Sequence, residues 1–177
     1  MTVNKKGKTD KTATVGKSNA KQAAAAHKAG KTYKKIVFVC TGNTCRSPMA
    51  EAALRAELKR RKIRWYSVSS AGLAAQKGAP MAENARAVLM EAGIPYSPNF
   101  RAKPLTPAMV KDAYAVICMT REQAARIGGD NVCAISMFAG KDIPDPYGQG
   151  MEVYRATLQA IGSCLPQLIA ILNIGNE

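Results

Sequence analysis

Residues 36–51 read Ile36-Val37-Phe38-Val39-Cys40-Thr41-Gly42-Asn43-Thr44-Cys45-Arg46-Ser47-Pro48-Met49-Ala50-Glu51. Ile36 to Val39 is a short β-branched and aromatic run, the pattern of a buried strand. Ser47-Pro48 pairs a favoured cap with the residue best tolerated at a first helical position. The loop between them begins with Cys40, holds Gly42 and Asn43, and ends on Arg46. A strand that feeds a tight loop ending at a helix N-terminus is a ready anion site, because free backbone N–H groups and the positive end of the helix dipole converge there. This loop adds a thiol and a guanidinium.

Outward from that stretch the chain alternates. Pro48 to Arg61 has helical periodicity, with Met49, Ala50, Ala53, Leu54 and Leu58 on one face. Trp65 to Ala71 reads as a second strand stopped by Gly72, and Met81 to Glu91 as a helix ended at Ala92-Gly93. A turn-rich link leads to a short helix over Pro107–Asp112. Then follow a strand over Ala113–Met119, a helix over Arg121–Ile127 ended by Gly128-Gly129, and a strand over Val132–Met137. Phe138 to Gly150 is expected to be an irregular loop, and Glu152 to Leu172 a long helix bent at Pro166. Strands alternating with helices predict an α/β fold, a parallel sheet covered by helices on both faces. In such sheets ligands sit at the C-terminal ends of the strands, where Cys40 lies.

The 177 residues suffice for one domain with a full core. No apolar run reaches the ~18–20 residues of a membrane span, and no charged-then-apolar signal opens the chain. A cytoplasmic protein with reduced thiols is expected, since five cysteines make an odd set without a secretion signal. The net charge of +14 is unevenly spread, and residues 1–35 carry +9 of it. Residues 1–33 form a Lys/Ala-rich tail with almost nothing apolar enough to pack, expected to be disordered apart from a transient helix over Ala20–Lys28. A solubilising role is the simpler reading of this tail. The alternative is weak contact with nucleic acid or an anionic surface. Residues 34–177 are the folded domain.

The loop chemistry follows from residue types. Gly42 and Asn43 admit backbone conformations closed to most residues, so that the N–H groups from Thr41 to Ser47 can wrap one tetrahedral anion. Arg46 offers a fork of donors matched to two phosphate oxygens. The only histidine, His27, lies in the tail, which excludes a Cys–His dyad. Loop N–H groups, the helix end and the Ser47 hydroxyl must therefore favour the Cys40 thiolate. A thiolate attacking phosphorus needs an acid for the leaving group. Asp145 is the candidate, held between Pro144 and Pro146 in a loop expected to overhang the same end of the sheet. Asp130 and Asp142 read as solvated turn residues. Cys40-x4-Cys45 lacks the second pair of a metal site, and no metal or cofactor is expected.

The segment Val39 to Glu51 together with Asp145-Pro146-Tyr147-Gly148 resembles the low-molecular-weight protein tyrosine phosphatases. Ser70-Ala71-Gly72 and Pro104-Leu105-Thr106 fall where that family has similar segments. The resemblance covers about Lys35 to the C-terminus and implies a four-stranded parallel sheet and a two-step reaction on phosphorylated proteins. It implies Cys40 as the nucleophile that becomes a cysteinyl-phosphate, Arg46 and the loop as the phosphoryl site, and Asp145 as acid then base. Asn43 and Ser70 would brace the loop, and Cys45 would trap an oxidised Cys40 as a reversible disulfide. Thr44 stands where phosphotyrosine enzymes usually carry a bulky apolar residue, and Tyr147 is followed by Gly148 rather than by a second aromatic. Both features are similar to the protein arginine phosphatase branch, so phosphoarginine is slightly preferred over phosphotyrosine. Phe100 and Tyr114 depart from the His and Asp common there, which leaves loop-bracing contacts in question. The alternative class is an arsenate reductase, but its relay needs two further cysteines. Here Cys118 is placed within the third strand and Cys133 in the next.

Overall fold

The computed structural model describes residues 33–175. The tail expectations therefore lie outside the described residues, apart from Tyr33. Four strands, β1 (Lys34–Cys40), β2 (Tyr66–Gly72), β3 (Ala115–Cys118) and β4 (Val132–Ala134), form one sheet in the order β2-β1-β3-β4. Every pairing is parallel: β1 runs beside β2 from Lys34↔Tyr66 to Cys40↔Gly72 and beside β3 from Ile36↔Ala115 to Val39↔Cys118. The β3–β4 register spans Val116↔Val132 to Cys118↔Ala134.

Alternation along β1 divides the core. Ile36, Phe38 and Cys40 face the layer made by α1 (Arg46–Arg60), α2 (Glu83–Glu91) and α6 (Met151–Ile171), among Met49, Leu54, Leu89 and Ile161. Val37 and Val39 face the opposite layer of α3 (Pro107–Asp112) and α4 (Arg121–Ile127), with Val116, Cys118 and Ile127. Burial on both faces explains why the strands read as continuous apolar runs. All five residues assigned to one face of the first helix are buried. Because β1 is central and its neighbours are reached by crossovers on opposite sides, the order reverses beside it. The crevice of a doubly wound sheet therefore opens at the end of β1, at Cys40.

The boundaries differ from expectation in informative places. Helix α1 begins at Arg46, with Cys45 as its cap residue, so Ser47 and Pro48 lie inside the first turn rather than at its edge. Ser47 is not the cap, since its hydroxyl is used elsewhere. Proline is tolerated there because its missing N–H would have no intrahelical partner. Strand β4 stops at Ala134. Ile135 is buried and its N–H reaches Cys118 O at 2.7 Å, after which Ser136–Ala139 forms a helical turn, α5, in place of the expected strand end at Met137 and the first residues of the expected loop. Helix α6 continues through Pro166.

Candidate active site

Cys40 ends β1 with its side chain 2% exposed. Its sulfur lies 3.0 Å from Ser47 Oγ and receives the Asn43 backbone N–H at 3.3 Å. Ser47 Oγ in turn accepts from Asn43 Nδ2 at 2.9 Å, and its single hydroxyl proton has two acceptors in reach, the Cys40 sulfur and Ala71 O at 3.4 Å. Asn43 is the keystone of the loop. It is fully buried at φ 53°, the left-handed conformation expected of it. Its Nδ2 also donates to Ser70 Oγ at 2.9 Å, its Oδ1 accepts the Lys103 N–H at 3.0 Å, and Ser70 donates onward to Glu51 at 2.6 Å. Gly42 corrects the sequence reading, because it does not adopt a positive φ, and a Cβ there would meet only Thr44 Oγ1 at 3.6 Å.

Among the described residues the loop is braced without a histidine. Phe100 packs against the core, and Tyr114, away from the loop, donates to Leu172 O at 3.1 Å. Two residues outside the expected set touch the loop from other elements. A Cβ on Gly72 would come within 2.6 Å of Thr41 O and 2.9 Å of Asn43 N, so the strand end can approach the loop only as glycine. The adjoining Leu73 and Ala74 N–H groups bond Cys40 O and Thr41 O at 3.0 and 2.9 Å. Gln123 of α4 donates to Thr41 Oγ1 at 3.1 Å. Gly72 was legible only as a strand stop, and nothing local in the sequence marks Gln123.

Arg46 is 4% exposed. Its Nη1 donates to Ile143 O at 3.1 Å and its Nη2 to Asp145 Oδ2 at 2.5 Å, while its buried Nε has no hydrogen-bond partner. An orphaned guanidinium N–H beside a ring of loop amides is what an oxyanion would satisfy. The acid loop overhangs the site as expected. Ile143, fully buried, ties it to the end of β3 through Met119 O at 2.9 Å. The Tyr147 N–H returns to Asp145 Oδ1 at 3.3 Å, and Gly148 turns the loop at φ 75°. Cys40, Thr41, Gly42, Thr44, Cys45, Arg46, Asp145 and Tyr147 line one cleft. Tyr147 is 75% exposed at its rim.

Cys45 is buried. Its sulfur lies 3.3 Å from Tyr154 Oη and 3.6 Å from Thr44 Oγ1. Burial pushes its thiol up, against a smaller lowering by the Tyr154 hydroxyl. Burial likewise raises Cys118 to about 12. Asp142 is less solvated than expected and accepts the Arg121 N–H at 3.2 Å at the start of α4.

A four-stranded parallel sheet with a cysteine loop at its switch point defines a class, and comparison with known proteins identifies it. Residues 35–176 match the family model "Low molecular weight phosphotyrosine protein phosphatase", and the chain belongs to this family. It is 33% identical over 142 residues to the protein-arginine-phosphatase of Bacillus subtilis (strain 168), covering 75% of this chain and 93% of that one. A crystal structure of the low molecular weight protein tyrosine phosphatase from T. tengcongensis is 35% identical with a TM-score of 0.72, covering 78% and 99% of the two chains. A YwlE arginine phosphatase mutant with a phosphorylated active-site serine is 32% identical with a TM-score of 0.71, covering 80% and 97%.

Proposed function

We propose that this chain is a cysteine-dependent protein phosphatase that acts on phosphoarginine or phosphotyrosine side chains through a cysteinyl-phosphate intermediate. The observation that carries the reading is the convergence on Cys40 sulfur of the Ser47 hydroxyl and the Asn43 N–H, beside the unpartnered Nε of Arg46. The phosphoryl group of a substrate is held by the loop amides from Thr41 to Ser47 and by Arg46. The Cys40 thiolate attacks phosphorus, an S–P bond forms, and the bond to the leaving oxygen or nitrogen breaks as Asp145 gives that atom its proton. Asp145, now a carboxylate, takes a proton from water. The water oxygen attacks phosphorus, the S–P bond breaks, and phosphate leaves with Cys40 again a thiolate. Buried Cys45 stays protonated at neutral pH and does not compete as nucleophile. It supplies the neighbouring thiol for a reversible disulfide when Cys40 is oxidised.

The free cysteines and the need for a reduced nucleophile support a cytoplasmic setting. Among the described residues no helix is long and apolar enough to cross a membrane. A disulfide relay on arsenate finds no support in the site, since Cys118 and Cys133 do not line the cleft.

Identity does not choose between phosphoarginine and phosphotyrosine, because relatives of both kinds lie near 33–35%. Thr44 favours phosphoarginine. It lines the cleft and can accept a hydrogen bond from a guanidinium N–H where an isoleucine would leave that group unpaired. The test is kcat/KM for matched phosphoarginine and phosphotyrosine peptides before and after Thr44→Ile. The ratio is expected to move about tenfold towards phosphotyrosine, and an unmoved ratio would remove Thr44 as the determinant.

A further inference from the structure

Helix α4 reaches the phosphate loop through Gln123, which is 6% exposed although glutamine is mostly a surface residue. Its backbone N–H is capped by Thr120 Oγ1 at 3.2 Å, which fixes the residue in the first turn of the helix. Its Nε2 donates to Thr41 Oγ1 at 3.1 Å, and its Oε1 is buried without a hydrogen-bond partner. Turning the amide over would put two N–H hydrogens where that one oxygen now lies, a worse group to bury unpaired. The polarity is thus set, with Gln123 as donor and Thr41 as acceptor.

A hydroxyl has one proton and two lone pairs. With a Gln123 hydrogen on one lone pair, the Thr41 proton must turn away from α4. Thr41 is exposed while Asn43, Cys45, Arg46 and Ser47 are buried, and it lines the mouth of the cleft. The proton is therefore offered outside the cradle of loop amides that would hold the phosphoryl oxygens. A guanidinium offers mainly donors at that height and a phenyl ring offers no acceptor oxygen. The acceptor that every polypeptide carries is its main-chain carbonyl.

We propose that Gln123 is a positioning residue for protein substrates: by donating to Thr41 it fixes the Thr41 hydroxyl as a hydrogen-bond donor for a main-chain carbonyl of the phosphorylated polypeptide. The inference rests on the phosphatase reading above. A small aryl phosphate has no such carbonyl and does not feel the device.

The full chain is compared with Gln123→Glu and Gln123→Leu on a phosphotyrosine peptide and on p-nitrophenyl phosphate. An ionised glutamate only accepts, so the Thr41 proton turns back towards it. The peptide KM is expected to rise about fivefold more than that of p-nitrophenyl phosphate, which shares any repulsion by the new carboxylate but lacks the carbonyl, with kcat unchanged. Leucine, apolar enough for the buried position, leaves the hydroxyl free to rotate and produces a smaller rise on the peptide alone. In a Thr41→Val background, Gln123→Glu no longer raises the peptide KM more than that of p-nitrophenyl phosphate. Equal changes on both substrates, a fall in kcat instead of a rise in KM, or an undiminished effect in the Thr41→Val background would overturn the inference and leave Gln123 a brace. Failure of the wild-type chain to turn over either substrate would instead overturn the phosphatase reading itself.

Discussion

Arg46 and Asp145 share a hydrogen bond of 2.5 Å, and in the proposed reaction this bond would have to yield, because the guanidinium would also hold the phosphoryl oxygens. The phosphoryl group would compete for the same Nη2, and Asp145, half-exposed on a loop stiffened by Pro144 and Pro146, would be released towards the leaving group. Asparagine at 145 keeps the shape and loses the proton. Steady-state kcat for Asp145→Asn on phenyl phosphate, whose leaving group needs protonation, is expected to fall about 10²–10⁴-fold. On p-nitrophenyl phosphate, which leaves readily as the anion, the fall is much smaller. Equal losses on the two esters would contradict the acid role. Gly72 yields a second prediction. A methyl group 2.6 Å from Thr41 O must displace backbone on one side or the other. Gly72→Ala is therefore expected to cost about 1–3 kcal/mol of stability in denaturant unfolding and to lower kcat/KM through the displaced loop. A variant as stable and active as wild type would show that the loop yields freely. Cys40, Arg46 and Asp145 were legible because their chemistry is local to two short motifs. Gly72 and Gln123 were not, because each acts on the loop from another element, across distances in sequence that spacing does not encode.

The elements were legible in type and less so in extent, for reasons specific to each. Ser47-Pro48 looked like a cap and a first helical residue, but the Ser47 hydroxyl is committed to the Cys40 sulfur and the helix starts one turn-fraction earlier, at Arg46. β-branched and apolar residues beyond Ala134 suggested more strand. Ile135 instead leads into the helical turn Ser136–Ala139, which a short apolar run does not distinguish from a strand. At the far end of α1, Glu57 holds both Arg60 and Arg61, at 2.7 and 2.6 Å. Hydrogen bonds from Arg60 first, then Arg61, lower its carboxyl from 4.5 to about 2. A pKa lower in the folded state means stability that is present above about 4.5 and lost as pH falls towards 2. Because these side chains are partly solvated, the contribution is below about 1 kcal/mol. Glu57→Gln is expected to lower Tm slightly at pH 7, with the difference from wild type closing by about pH 2. A difference that is constant across that range would mean the ion pairs contribute nothing.

At the scale of the molecule, alternating strands and helices in the sequence were enough for a parallel sheet with two helical layers, and for placing Cys40 at a strand end. The order β2-β1-β3-β4 was not contained in that alternation. It follows from which way each crossover returns, and it is what makes β1 central and opens the crevice at its end. From that position α1 presents its N-terminus to the loop, β2 supplies Gly72 and Ser70, α4 supplies Gln123, and the segment after α5 brings Asp145 over the top. Each contribution comes from a different C-terminal strand edge, so the site exists only when the whole sheet is formed. The central consequence is a phosphate carried on one sulfur. Intact-mass and peptide mass measurement of the Asp145→Asn protein, acid-quenched during turnover of p-nitrophenyl phosphate, tests this most directly. One added phosphoryl group on Cys40, absent in Cys40→Ala together with all turnover, is the predicted result. Turnover that survives Cys40→Ala, or a phosphoryl group on any other residue of the Asp145→Asn protein, would contradict it.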